Sequence, residues 1–140
     1  MDGVIFGEKH TYRDWELLLK SRPVISPPVP KTKVIQVPGS DRLIDLTESL
    51  TGQVHYEARQ MTFEFVTIAQ RSRWPILYSS ILTEIHGKRV KIILDDDPNY
   101  YYIGRVTVGD MEAEKKTATL TIEATVEPYK YERSGDGRRL

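Results

Sequence analysis

Between Thr117 and Val126, apolar and polar residues alternate without a break. Ala118, Leu120, Ile122, Ala124 and Val126 fall on one side, and Thr117, Thr119, Thr121, Glu123 and Thr125 on the other. A period of two marks a strand with one buried face, because successive side chains point to opposite faces of a sheet. Burying Leu120, Ile122 and Val126 alone contributes roughly 5–9 kcal/mol before conformational entropy is counted. A sheet built on this strand must then pair or cover its edges.

Further stretches offer partners. Within the extended run 54–69, Met61, Phe63 and Phe65 point one way and Thr62, Glu64 and Val66 the other. Lys88–Leu94 and Tyr100–Val108 read as a hairpin around the turn-forming Asp95–Asn99. Gly104 inside that hairpin suggests a bulge or a close backbone approach. Gly109-Asp110 reads as the opening of another connection. Lys33–Val37 is a candidate strand ended by Pro38-Gly39. Gly3–Gly7 reads as a small strand or docking arm. Trp15–Leu19 is ambiguous by pattern and is assigned to strand, since a proline-rich segment follows. Ser40–Gly52 reads as a structured loop with apolar anchors at Leu43, Ile44, Leu46 and Leu50.

One helix stands out. Trp74, Leu77, Tyr78, Ile81, Leu82 and Ile85 recur at three- and four-residue steps. Ser72 is its expected N-terminal cap, Pro75 sits in the first turn, and Gly87 follows the last turn. The expected fold is mainly β, antiparallel and sandwich- or barrel-like, with one α-helix packed at its end. Residues 1–131 form one domain, and 132–140 (ERSGDGRRL) are expected to be a flexible tail with almost nothing to bury.

The 140 residues suffice for one core. Twenty basic residues balance twenty acidic ones, so no global field draws the chain to nucleic acid or anionic lipid. There are no cysteines, which removes disulfides, thiolate metal sites and a cysteine nucleophile. The N-terminus lacks the pattern of a signal peptide, and no uncharged run approaches the ~18 residues of a membrane span. The expectation is therefore neither nucleic-acid readout nor membrane insertion.

Chemistry is sparse. His10, His55 and His86 have no ligand-spaced neighbours, and His86 reads as a solvent-facing or capping residue at the helix end. Asp95-Asp96-Asp97 has the oxygens to collect a hard cation. However, neighbouring aspartates on a turn point in different directions, and the EF-hand spacing is absent. No G-x-S-x-G, P-loop or G-x-G-x-x-G occurs. The expectation is no enzyme: no catalytic residue, no cofactor and no metal. Tyr100, Tyr101, Tyr102 and Arg105 form the best candidate binding surface, since tyrosine and arginine are enriched where partners bind tightly. Ordinary cross-strand packing is the competing reading. Pro27, Pro28 and Pro30, with Pro23, form an extended segment that fits a sheet edge or belt.

Several stretches in order resemble phage distal tail proteins (the Dit-like family). The opening V-I-F-G-E-K-H-T-Y-R-D-W-E-L-L-L-K-S-R-P is similar to that family's first strand. I-S-P-P-V-P-K-T-K-V-I-Q-V-P-G-S-D-R is similar to its proline-rich belt. Asp45 to Gly52, then Tyr56, Arg59 and Phe63-Glu64-Phe65, resemble its D-L-T-x-x-x-T-G … Y-x-x-R … F-x-F pattern. Asp95-Asp96-Asp97-Pro98 with Tyr101-Tyr102-x-Gly104-Arg105 resembles its turn and hairpin. The resemblance covers roughly residues 3–131. It implies a ring-forming β-domain, closed by six copies around the tail channel, with itself, the tail tube protein and the baseplate hub or tail-associated protein as partners. It places the chain at the tail tip of a virion assembled in the bacterial host cytoplasm. Longer family members carry a second, often carbohydrate-binding-like domain. A small carbohydrate- or ligand-binding β-module, or another tail component such as a hub or tube protein, is the alternative.

Overall fold

The computed structural model describes residues 3–36, 38–39, 41, 43–46 and 52–140. In chain order the elements are β1 (Val4–Phe6), β2 (Lys9–His10), α1 (Thr11–Trp15), β3 (Leu17–Leu19), β4 (Val24–Ile25), β5 (Val34–Gln36), β6 (Leu43–Asp45) and β7 (Arg59–Thr67). A 3-10 turn (Arg71–Arg73) leads into α2 (Trp74–Ile85), and β8 (Arg89–Leu94), β9 (Tyr100–Ala113), β10 (Ala118–Val126), β11 (Lys130–Glu132) and β12 (Arg138–Arg139) follow. One curled antiparallel sheet runs in the order β2-β1-β8-β9-β10-β7-β3. β4 lies beside β3 on β7, β11 continues alongside β9, and β12 pairs with β11. β5 and β6 form a separate two-stranded ribbon.

The period of two sets the core. Every second residue of β10 is buried, from Ala118 to Val126. β7 alternates in the same way. Cross-strand pairing puts Phe63 opposite Ile122 and Phe65 opposite Leu120, so the two buried rows meet. Phe63 packs edge-on against Phe6 at 5.3 Å and lies 6.3 Å from Phe65. Ile81 and Ile85 of α2 join this cluster. A smaller one, Ala69, Trp74, Leu77 and Ala118, seats the start of α2. There the Trp74 indole N–H donates to the Ala69 carbonyl.

The far end of α2 is stapled to β9. Gly87 has a positive φ of 75° and donates its N–H to Val106. The exposed His86 accepts the Val108 N–H on Nδ1. The cap at the start differs from expectation. Ser72 lies inside the 3-10 turn, and Arg73, with no side-chain cap bond, precedes the helix. The turn already presents the helical carbonyl pattern, so a hydroxyl cap is not required.

Other expectations change as well. Trp15–Leu19 is split: Trp15 ends a short helix, and Leu17–Leu19 is strand. Pattern alone cannot separate five residues of helix from strand. β9 does not stop at Val108. It runs through Gly109-Asp110 to Ala113, and those two residues face Thr121 alone in a bulge. In the stretch expected to be extended from Val54, the strand proper begins at Arg59. Ser40–Gly52 contains a strand, Leu43–Asp45, where a loop was expected; Leu50 and the DLTESLTG motif from Thr47 to Thr51 lie outside the described residues. Within the segment 132–140, β12 pairs its Arg138 with Tyr131.

Candidate interaction surface

Residues 24–36 make an arm. Val24 pairs with Thr62 and Ile25 with Met61. Ser26 then bonds to Gln60, Pro30 bridges to Tyr56, and Lys31 bonds to His55. The arm thus runs antiparallel to β7 and beyond its start, where Leu46 bonds to Lys33 and the β5–β6 ribbon begins. Proline sits where its missing N–H costs nothing, on a sheet edge. Pro27 and Pro30 are exposed, and Pro28 is half-buried. Val24, Val29, Val34 and Ile35, all on this arm, are exposed apolar residues.

Arg59 anchors the base of the arm. Its guanidinium donates to the carbonyls of Ser26 and Pro128 at 3.0 and 3.2 Å and lies over the Tyr102 ring. Period two puts Arg59 on the same inward face as Met61, Phe63 and Phe65. That placement is the sequence signal for an arginine with buried partners. Tyr56, three residues earlier, packs edge-on against Tyr129 at 6.0 Å.

The tyrosine run does not act as one surface. Tyr102 is buried beneath Arg59 and offers no ring to a partner. Tyr101 packs at a tilt against Tyr131, centroids 5.7 Å apart, and is covered by the Lys91 ammonium at 4.7 Å. Tyr100 is covered by Lys130 at 4.8 Å, and Tyr129 by Arg138 at 4.3 Å. Arg105 is exposed and bonds the Gly87 carbonyl at the helix end. The structure therefore sets Tyr101 with Lys91 and Tyr131, and Tyr100 with Lys130 on the opposite face of the strand, and brings neither to Arg105 or the prolines. Lys91, Lys130 and Arg138 carry no motif and become legible only once strand pairing is known.

The three aspartates each reach a different segment. Asp95 accepts the Gly3 N–H and the His10 Nε2–H, both at 2.8 Å. Asp96 pairs with Arg22 at 3.0 Å and Asp97 with Lys130 at 2.6 Å. Among the described residues, no group of three or more carboxylates and histidines is placed to hold a metal. His10 is nearly fully buried. Its Nδ1 accepts the N–H groups of Tyr12 and Arg13, capping α1, so the proton sits on Nε2 and points at Asp95.

Glu127 and Tyr131 form a second node. The Tyr131 hydroxyl donates to Glu127 at 2.6 Å, and Arg89 binds the other carboxylate oxygen. The phenol bond, then Arg89, holds the Glu127 carboxyl below its ordinary pKa against the opposing pull of burial. The same bond pushes the Tyr131 phenol up. A lowered carboxyl contributes stability above its unfolded pKa and loses it as pH falls through the folded one. A raised phenol contributes below its unfolded pKa and loses stability as pH rises through the folded one. Tyr131→Phe should therefore cost from a few tenths to about 1 kcal/mol at neutral pH, a range discounted for the exposure of Glu127. Denaturant midpoints at pH 7 and pH 3 check this. The gap between variant and parent should narrow at pH 3, and a gap of equal size at both would refute the assignment.

The fold is of the class found in phage distal tail proteins. Among solved structures, the chain resembles the crystal structure of the SPP1 Dit protein (gp 19.1), described as a paradigm of hub adsorption apparatus in Gram-positive infecting phages. The TM-score is 0.70 over 94% of this chain, with 15% sequence identity. The match takes in 52% of that protein, so the chain spans about half its length. No family model and no curated protein matches the chain. At this identity, what is shared is the fold.

Proposed function

We propose that the chain is a structural subunit of a phage or phage-like tail, with six copies closed into a ring that joins the tail tube to the baseplate hub. The observation that carries this reading is the arm, an extended edge with four exposed apolar side chains that the chain's own core leaves uncovered. An isolated two-stranded ribbon such as β5–β6 is marginal in water, so it gains most from a surface to lie against. Cyclic closure requires two different patches, one on each side of every copy, and an arm with a separate landing surface provides them. The shared fold with a phage hub adsorption protein supports the same reading. The role is architectural rather than enzymatic. The glycan-binding alternative is less well supported, because cations already lie over the rings of Tyr100, Tyr101 and Tyr129.

Light scattering on the purified chain tests the proposal. The expected mass is six times that of the 16.1 kDa chain, with rings and an axial channel visible by electron microscopy. A strict monomer at high micromolar concentration would count against it.

A further inference from the structure

We infer that the outer face of β8, β9 and β11 docks an acidic surface of a partner protein. Strand register builds this face. Arg89 of β8 lies directly opposite Arg105 of β9, and Lys91 lies opposite Ile103. Tyr101 lies opposite Tyr131 of β11, which in turn faces Arg138 of β12. Alternation sends these side chains outward, while Tyr102, Gly104 and Val106 between them on β9 are buried. Arg89, Lys91, Arg105 and Arg138 are all exposed. Arg105 does not touch Tyr101, but it shares that residue's face.

The chain itself does not balance the charge on this face. Among the described residues, Glu127 is the only carboxylate in these rows. Its N–H bonds to the Ile103 carbonyl, and its carboxylate is already held by Arg89 and the Tyr131 hydroxyl. The other three cations have no carboxylate. Arg105 donates to the Gly87 carbonyl, Lys91 lies over Tyr101, and Arg138 lies over Tyr129. Like charges directly opposite on paired strands are destabilising, and Arg89 with Arg105 is such a pair. A carboxylate placed between the two guanidiniums offsets that repulsion, and each planar fork offers it two parallel N–H donors. The whole chain carries no net charge, so this concentration is local.

Two features favour an acidic protein over a nucleic acid. First, the rings are not free to stack on bases. Lys91 covers Tyr101, Arg138 covers Tyr129, and Tyr131 is engaged by Tyr101 and Glu127. Second, the basic rows are short. Past Arg105 the same face turns acidic, with Glu123 opposite Thr107 and Glu64 of β7 beyond it. A continuous phosphate backbone would run from Arg105 onto Glu123. A protein can instead set a few carboxylates over the guanidiniums and a cation beside Glu123. Tyrosine and arginine around a half-buried isoleucine also match the composition of protein interfaces. Backbone positions are about 5 Å apart from Arg89 to Arg105 and about 7 Å apart from Arg89 to Lys91, so an extended segment with a carboxylate at every second residue fits along β8. The inference stands whether or not copies close into a ring.

A fluorescent peptide of alternating glutamate and serine, titrated into the full chain at low ionic strength, tests this by anisotropy. It should bind, and a glutamine–serine peptide should not. Lys91→Gln combined with Arg105→Gln should weaken binding at least fivefold. Arg138→Gln, whose guanidinium lies only over a ring, should weaken it on its own. Lys115→Gln with Lys116→Gln removes the same charge from an exposed turn between β9 and β10 and should change binding less than twofold. Circular dichroism should show all variants folded like the parent. Equal weakening by the two lysine-containing pairs would mean that net charge alone is read, and would overturn the face. An oligothymidine of equal charge that binds more tightly than the peptide would overturn the protein partner in favour of nucleic acid. A parent chain that binds neither probe would overturn the inference altogether.

Discussion

Gly104→Ala is expected to unfold the chain at room temperature or leave it insoluble. Gly104 lies in β9 between Val90 of β8 and Val126 of β10. A Cβ there would sit 2.5 Å from the Val126 Cα and closer still to the Thr125 carbonyl oxygen. Both obstacles are backbone on the best-formed strand, so no rotamer change relieves them. The sheet must either part or shift its register, and a shift by one residue would turn the buried row of β10 outward. Circular dichroism and a soluble-yield assay check this. A folded Gly104→Ala chain with a parental melting curve would show that the strands are not packed this closely.

Phe63→Ala should cost about 3–5 kcal/mol, the usual range for removing a buried phenylalanine ring. The ring is fully buried and touches Phe6 and Phe65. These neighbours come from different strands of one sheet and cannot collapse into the space without moving the strands. For a chain of this length, the loss corresponds to a fall of roughly 10–20 °C in melting temperature. Thermal unfolding followed by circular dichroism measures it. A fall below 5 °C would mean that the site refills or that the cluster contributes little.

Both residues were visible before the fold was known. Gly104 broke an otherwise continuous strand pattern, and of the two readings it offers, a bulge or a close backbone approach, the structure contains the second. Phe63 lay on the apolar side of a period-two run. The helix stripe was legible for the same reason, because Trp74, Leu77, Ile81 and Ile85 are the buried residues of α2. The elements without a sequence signal were short. Two- and three-residue strands such as β2, β4 and β12 exist because a neighbour is already in place, and α1 is held by His10, whose own position depends on Asp95. Such contacts span dozens of residues and leave no local periodicity.

The candidate surface was only partly legible. A run of three tyrosines suggested one patch. Alternation sends Tyr102 inward, and strand pairing brings Tyr131 opposite Tyr101. The proline segment lies along a sheet edge, as its missing N–H groups imply.

The turn at Asp95–Asp97 has a mechanical consequence. Through three successive carboxylates it moors Gly3 and His10, then Arg22, then Lys130. The opening segment and the closing hairpin are thereby tethered to one corner. A load applied through residues 3 and 130 would be shared between that corner, across its ion pairs and the hydrogen bonds between Gly3 and Asp95, and the strands β1 and β11 that adjoin it.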